Sequence, residues 1–259
     1  MAETESPRRL SLATDVWTVM WKELRELRQG TGGSRLGSGG LSQALISIGV
    51  FGILLPYNFG KEWITSPSTL LFWAWIPMLL ISTVVAQSFA GERERHTLES
   101  LLATRLSDEA LLLGKVGAAV AYGWGISLGA LLLSVITTNV RFRSEGPLLY
   151  TPDMAVSIIG LTLLISVLAA GVGVLVSLRA STVRQAQQTL SLASLVLVFG
   201  SMYGLRALPI DWSALTRDMG HGVLPSTGVL LAIGVLLLVD AALLAAGMLR
   251  FRRSRLILD

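Results

Sequence analysis

Of the 259 residues, 52% are hydrophobic and 15% are charged, whereas an average soluble domain is about 45–50% apolar and about 25% charged. A mean hydropathy of +0.64 therefore indicates an integral membrane protein. The chain has no cysteine and two histidines, His96 and His221, which excludes a disulfide framework, a thiol nucleophile and a histidine or cysteine metal cluster. We predict neither a catalytic nor a metal site. The net charge of +4 comes from bases that flank apolar runs, so we expect lipid contacts and no nucleic-acid partner.

Residues 1–40 form a predicted cytoplasmic segment, and within it residues 15–28 have the pattern of an amphipathic helix. Apolar side chains recur at steps of three and four, and the charged side chains occupy the other side; the two sets are Trp17, Met20, Trp21, Leu24 and Leu27, and Lys22, Glu23, Arg25, Glu26 and Arg28. We predict an interfacial helix whose Trp17, Trp21 and Leu24 contact lipid. The alternative is a surface helix packed on a soluble partner.

Residues 30–40 contain six glycines and predict a flexible hinge between this helix and the membrane domain. The first 40 residues mix acids and bases without an apolar core, so we expect no cleaved leader.

The membrane domain is predicted at residues 41–250, because a helix needs about 20 apolar residues to cross a bilayer. Six apolar runs of that order are present, and all but the last, which contains Asp240, are uncharged: Leu41–Tyr57, Leu70–Ala90, Val116–Asn139, Met154–Leu178, Ala186–Leu205 and Pro225–Leu249. The predicted fold is an all-α integral membrane protein with six transmembrane helices, followed by a basic cytoplasmic tail at residues 251–259.

The distribution of basic residues predicts the orientation. With both termini inside, the cytoplasmic segments hold 16 Lys and Arg residues and the outer segments hold 5. This bias follows the positive-inside rule, so we expect a multi-pass protein of the plasma (inner) membrane with both termini cytoplasmic.

The connection between the second and third runs, residues 91–115, carries the most specific pattern. Glu92, Arg93, Glu94 and Arg95 continue the second helix as a charged stalk. Thr97 is suited to cap a short helix that holds Leu98, Leu101 and Leu102 on one side. Ser107, followed by two acids, then predicts the start of the third helix. A solvated charge run is the ordinary interpretation, but the apolar face of the short helix favours a covering partner.

The run ERERHTLESLLATRLS resembles the segment between the second and third spans of type 2 ATP-binding-cassette (ABC) exporter permeases. Matching positions are Glu92, Glu94, Thr97, Glu99, Leu101 and Leu102, while His96 and Arg105 depart from the family pattern. The resemblance implies that this segment is a coupling helix that docks on a separate ATPase, through Glu92, Arg93, Glu94, Arg95, Thr97, Leu98, Glu99, Leu101 and Leu102, and that the N-terminal helix is an elbow helix.

The chain lacks the G-x-x-x-x-G-K-[S/T] phosphate loop, so the resemblance implies that ATP and Mg²⁺ are bound by the partner subunit and that this chain binds no cofactor. Six spans are half of the family's usual pathway, which implies pairing with a second copy or a paralogue. Gly117, Ala121, Gly125 and Gly129 form a small-residue stripe in the third run; it is suited either to packing within one subunit or to a dimer seam.

Asp240 is the one acid in the middle of a predicted span, about 15 Å from the boundary at Arg250. Its helical neighbours are leucines, so its partner must lie on another span, on another subunit or in the pathway. A hydrogen bond to Ser82, Thr83 or Ser127 is one interpretation, and a contact with a cation or polar substrate is the other.

The leading hypothesis is the membrane subunit of an ATP-driven exporter. A gradient-driven secondary transporter is the alternative, but it favours internal repeats and several ionisable groups in the membrane. An integral-membrane enzyme needs convergent catalytic groups, which the two distant histidines and sparse acids do not supply. The sequence leaves the substrate open.

Overall fold

The computed structural model describes residues 12–29, 37–66, 68–94, 106–207 and 227–251. The described part of the chain is helical, with short connections. Its α-helices are α1 (Leu12–Gln29), α2 (Gly37–Gly49), α3 (Leu55–Phe59), α4 (Glu62–Thr65), α5 (Thr69–Val85), α6 (Gly91–Glu94), α7 (Asp108–Arg141), α8 (Pro152–Ser177), α9 (Val183–Ala207) and α10 (Thr227–Arg250). The six runs predicted to span the membrane largely coincide with these helices and the turns that join them.

Two π-helical turns interrupt the described spans, and a hydrogen bond from another helix accompanies the first. Val50–Leu54 joins α2 to α3 without a break. Pro56 has no N–H to donate to the carbonyl four residues earlier, and that carbonyl, of Gly52, accepts from the Thr137 hydroxyl at 2.7 Å instead. The turn therefore ties α2 and α3 to α7. Ala86–Ala90 forms the second turn, between α5 and α6.

Five of the described helical segments are long and apolar enough to cross a membrane: Ser42–Phe59, Thr69–Glu94, Asp108–Arg141, Pro152–Ser177 and Ile233–Arg250. The fifth predicted span coincides with α9, part of which lies outside the residues whose side chains are described, so its crossing stays a prediction. α2 begins at Gly37, and the last four residues of the predicted hinge are therefore helical, whereas residues 30–36 lie outside the described chain.

α1, α5 and α8 pack directly on α7, and the bundle has two distinct ends. We call the end that holds α1, α6, the start of α7 and the ends of α8 and α10 the α1 face. Its core includes Val19, Val85, Phe89, Leu112 and Phe251.

The opposite end, the far face, is built from α3, α4 and the start of α5. Its core contains Trp63, Trp73 and Ile76, each fully buried. α9 is attached mostly by its first turns, where Ala186 and Leu190 pack on Ala86 and Ala90 of the second π-turn.

Large apolar side chains cover the outside of the helices. Leu132, Val156, Val196 and Leu238 are 67–73% exposed. Large apolar side chains exposed on several helices are more stable in hydrocarbon than in water. The side chains therefore agree with the composition: the chain is a multi-pass membrane protein.

Candidate functional site

A buried lysine links three helices at the α1 face. Lys115, in the second turn of α7, is 2% exposed. Its Nζ donates to Oε1 of Glu23 on α1 and to Oε1 of Glu92 on α6, both at 2.8 Å. It also donates to the Ser88 carbonyl in the second π-turn at 3.3 Å. We call Glu23, Glu92 and Lys115 the ion-pair triad.

Neighbouring side chains complete the surroundings of the triad. The Ser88 hydroxyl donates to Glu23 Oε2 at 3.4 Å. Lys115 Nζ lies 5.7 Å from the centre of the Phe89 ring, and Phe251 packs edge-on against that ring. Charges withdrawn from water are costly unless they are paired and hydrogen-bonded. The main effect of the triad is therefore to fix the relative position of α1, α6 and α7. Its net contribution to the free energy of unfolding is small.

A glycine allows α1 to come close enough for these contacts. A methyl group on Gly114 would lie 2.5 Å from Val19 Cβ and 3.1 Å from the Val16 carbonyl. Any side chain at position 114 would therefore push α1 away from α7. One turn further, Gly117 faces the Met20 sulfur.

α6 also contacts α9. The backbone N–H of Val183, the first residue of α9, donates to Glu94 Oε2 at 3.0 Å. A carboxylate is favourable there because helix N-termini carry unpaired N–H groups and partial positive charge. Gly91–Glu94 thus contacts α7 through Glu92 and α9 through Glu94, and it is linked to α1 through Lys115.

The predicted coupling segment begins in α6 and continues directly beyond it. Glu92 and Arg93 are half-buried, and Glu94 is exposed. Arg95, Thr97, Leu98, Glu99, Leu101 and Leu102 lie outside the described residues. The predicted start of the third helix at Ser107 is confirmed, because its hydroxyl accepts from the Ala110 N–H at 3.1 Å.

The N-terminal helix shows a different division of faces from the one that its sequence pattern predicts. Trp17 and Trp21 are 60% and 56% exposed, and Leu24 is half-buried. Val19 and Glu23 are buried against α7. The assignment of Glu23 to an outward charged side is therefore wrong: positions 16, 19, 20, 23 and 27 share the protein-facing stripe, and Glu23 reaches Lys115 from it.

The small-residue stripe divides into two parts. Gly117 meets α1, as described above, and Ala121 is half-buried. A methyl group added at Gly125 or at Gly129 would have no neighbouring atom within 4 Å in the described part of the chain. This part of α7 is therefore open on its outer side.

Asp240 is 4% exposed, yet neither carboxylate oxygen has a hydrogen-bond partner in the described part of the chain. The three hydroxyls predicted as partners bond elsewhere: Ser82 to the Leu79 carbonyl, Thr83 to Gln43 Oε1 and Ser127 to the Gly123 carbonyl. Nearby, α10 packs on α8 with Leu243 against Gly171.

Sequence reasoning misses Glu23 and Lys115. By its place in the chain, Lys115 has the pattern of a boundary base and Glu23 that of a surface acid. A signal is present in the spacing, because an acid continues the Val16, Val19 and Met20 stripe of α1 one turn on. A pairing between residues 92 positions apart is not visible in local periodicity.

Multiple lipid-exposed helices and a charged junction at one face define the class: a polytopic α-helical membrane protein. A family model described as ABC-2 family transporter protein matches residues 57–217, well over half of the chain, and the chain belongs to that family. It is 29% identical over 143 residues to the ABC transporter permease protein NatB of Bacillus subtilis (strain 168). That match covers 51% of this chain and 37% of NatB, so the chain spans little more than a third of that relative.

Proposed function

We propose that this chain is the membrane subunit of an ATP-driven exporter and that a separate ATPase, which binds ATP and Mg²⁺, drives it. The observation that carries the proposal is the position of α6. These four residues begin the predicted docking segment. Glu92 binds Lys115 of α7, which in turn binds Glu23 of α1, and Glu94 binds the first turn of α9. A displacement of the docked segment would move all three helices together.

The pathway forms between two six-span subunits, a second copy or a paralogue, in the plasma membrane. The open strip at Gly125 and Gly129 supports an α7 seam between subunits, because small residues let helices approach closely. The exposed Trp17 and Trp21 support an interfacial position for α1, where tryptophan is favoured.

Asp240 is assigned to the pathway or to the subunit interface. Burying an acid near the bilayer centre costs several kcal/mol, of the order of 2.5–3.5 kcal/mol on insertion scales. The described residues offer Asp240 no hydrogen-bond partner, which supports a compensating group from the second subunit, from water in the pathway or from a polar substrate.

The docking step is tested by replacing Leu101 and Leu102 with Asp. When the parent subunit is solubilised from its native membranes and purified, ATPase activity should elute with it. The double variant should insert normally and lose that activity. A control is Leu149→Asp, which adds one carboxylate at an exposed position on the far face. Coupled transport by the double variant at the parent's rate would refute docking through this segment.

The orientation is tested with single cysteines, which the chain lacks. An impermeant thiol reagent applied to intact cells should label Ser68→Cys and leave Ser100→Cys protected. The reverse pattern would overturn cytoplasmic termini and place the docking segment on the wrong side for an ATPase.

A further inference from the structure

A cavity of about 450 Å³ opens at the α1 face between the end of α8, the start of α9 and the end of α10. Arg179 and Arg250 contribute its charges, Gln185 and Thr189 its neutral polar groups, and residues such as Val176 and Ala246 its apolar wall. Nothing in the proposed coupling path uses this cavity.

The polar groups of the cavity suit an anion. Among the residues that the structure describes, no carboxylate lines it, and neither Arg179 nor Arg250 forms an ion pair. The Ser181 N–H donates to Gln185 Oε1 at 3.0 Å, and the Ser181 hydroxyl lies 2.9 Å from the same oxygen. The other end of this amide is therefore an NH₂ group, a third donor.

The position of the two arginines along the bundle suits a lipid headgroup. Arg179 lies two residues beyond the end of α8, and Arg250 is the last residue of α10. The following residue, Phe251, packs on Phe89 beside the ion-pair triad. Both guanidinium groups thus belong to helix ends at one membrane boundary, where arginine meets phosphate.

The remainder of the surroundings is apolar and open to hydrocarbon. Further along α9, Leu192 and Val196 are 63% and 73% exposed, and on α10 Leu238 is 72% exposed. An amphipathic ligand matches this arrangement, because its anionic head would meet the arginines at the boundary and its acyl chain would meet the apolar wall. A soluble phosphate ion leaves the apolar wall unused.

We propose that this cavity binds an anionic phospholipid of the leaflet at the α1 face, with the headgroup phosphate bound by Arg179 and Arg250 and by the Gln185 amide. Arginine is suited to this role because its planar fork makes two parallel hydrogen bonds to phosphate. The lipid joins α9, which is held mostly through Ala186 and Leu190, to the end of α10.

The test compares the parent with Arg179→Gln/Arg250→Gln and with the control Arg184→Gln, which removes an exposed arginine in the first turn of α9 that does not line the cavity. Phosphatidylglycerol is titrated into the purified subunit, and the fraction of subunit that retains the lipid is measured by native mass spectrometry. The double variant should bind about 10- to 30-fold more weakly, and the control should differ by less than about twofold. An equal loss in both would reduce the effect to bulk charge and overturn the site.

Two further arms decide the ligand. Phosphatidylcholine, which has a phosphate but no net charge, should bind more weakly than phosphatidylglycerol, and inorganic phosphate should not displace the lipid. Displacement by millimolar phosphate would overturn the lipid assignment in favour of a soluble anion. Arg179→Lys/Arg250→Lys keeps both charges and loses the planar fork, so it should recover part of the affinity; affinity equal to the parent's would overturn the role of the paired hydrogen bonds. None of these readouts requires transport.

Discussion

The two ends of the helical bundle are stabilised by opposite chemistry. At the α1 face, one buried lysine joins two carboxylates from different helices. At the far face, Trp63 packs against Trp73 and Phe72 with ring centres 5.9 and 5.6 Å apart. The indole N–H groups of both tryptophans lie near the Tyr150 hydroxyl but form no hydrogen bond of good geometry in the described structure, so this end depends mainly on ring packing.

This difference indicates that the two ends stabilise the bundle in different ways. Aromatic burial contributes free energy in proportion to area and tolerates small shifts. A buried ion pair contributes little net free energy but depends strongly on position, since each charge is costly without its partner. The α1 face, which carries the predicted docking segment, is therefore the end whose stability depends on one specific arrangement of its helices.

The largest expected effect comes from removing the lysine. Lys115→Met leaves Glu23 and Glu92 buried together and should lower the free energy of unfolding by about 3–5 kcal/mol, measured by thermal unfolding of the purified protein. The control is Lys22→Met, which breaks the exposed Lys22–Glu26 pair on the same helix as Glu23 and should cost less than about 1 kcal/mol.

A compensated variant sharpens this test. Glu23→Gln/Lys115→Met/Glu92→Gln removes all three charges and should recover much of the stability, because the uncompensated charges are gone. If the proposed coupling holds, this stable variant should still transport poorly. Full transport would show that the triad has only a packing role.

The second prediction contrasts two glycines of α7. Gly114→Ala places a methyl group 2.5 Å from Val19 Cβ and should destabilise by about 1–3 kcal/mol through overpacking, seen as a lower unfolding midpoint. Gly125→Ala meets open space and should be neutral or stabilise the isolated subunit by up to about 1 kcal/mol. A loss of dimer in Gly125→Ala alone would place position 125 in the seam, whereas equal effects at both positions would contradict the close approach of α1.

The third prediction concerns the far face. The Tyr150 hydroxyl lies 3.1 Å from Ser134 Oγ, and Tyr150→Phe should cost about 0.5–1.5 kcal/mol. Burial raises the pKa of Tyr150 to about 12. Because the folded pKa lies above the unfolded value, this group's stabilisation is complete below about pH 10 and declines as the pH rises toward 12. Unfolding midpoints from pH 8 to 11 should fall less steeply in Tyr150→Phe; identical slopes would contradict burial of this hydroxyl.

The sequence predicted the helices better than their contacts. Long apolar runs at Leu70–Ala90 and Met154–Leu178 identify spans because each crossing needs one uninterrupted run. The π-turn at Val50–Leu54 was not predictable, since it depends on a hydroxyl from Thr137, 85 residues from Gly52. Likewise, the docking segment is a prediction from a resemblance, while the Glu23–Lys115 contact depends on three-dimensional packing that local periodicity does not reveal.

The smallest expected effect on stability is at Asp240, which lies between the two ends of the bundle. If a hydrogen bond to Ser82, Thr83 or Ser127 held α10 in place, Asp240→Asn would preserve it, and Asp240→Leu would cost about 1–3 kcal/mol by leaving a buried group unpaired. The structure shows those hydroxyls bonded to other groups and the carboxylate without a partner in the described part of the chain. We therefore expect Asp240→Asn to change the unfolding midpoint very little and Asp240→Leu to raise it, since the cost of burying the acid disappears.

Transport is the decisive second readout for Asp240. The control for adding an amide is Leu238→Asn, which changes a lipid-facing residue on the same helix. Reduced transport in both Asp240 variants, with assembly intact, places a required charge in the pathway or at the subunit interface. Parental transport by Asp240→Leu would exclude that role and leave Asp240 as an acid tolerated for no function.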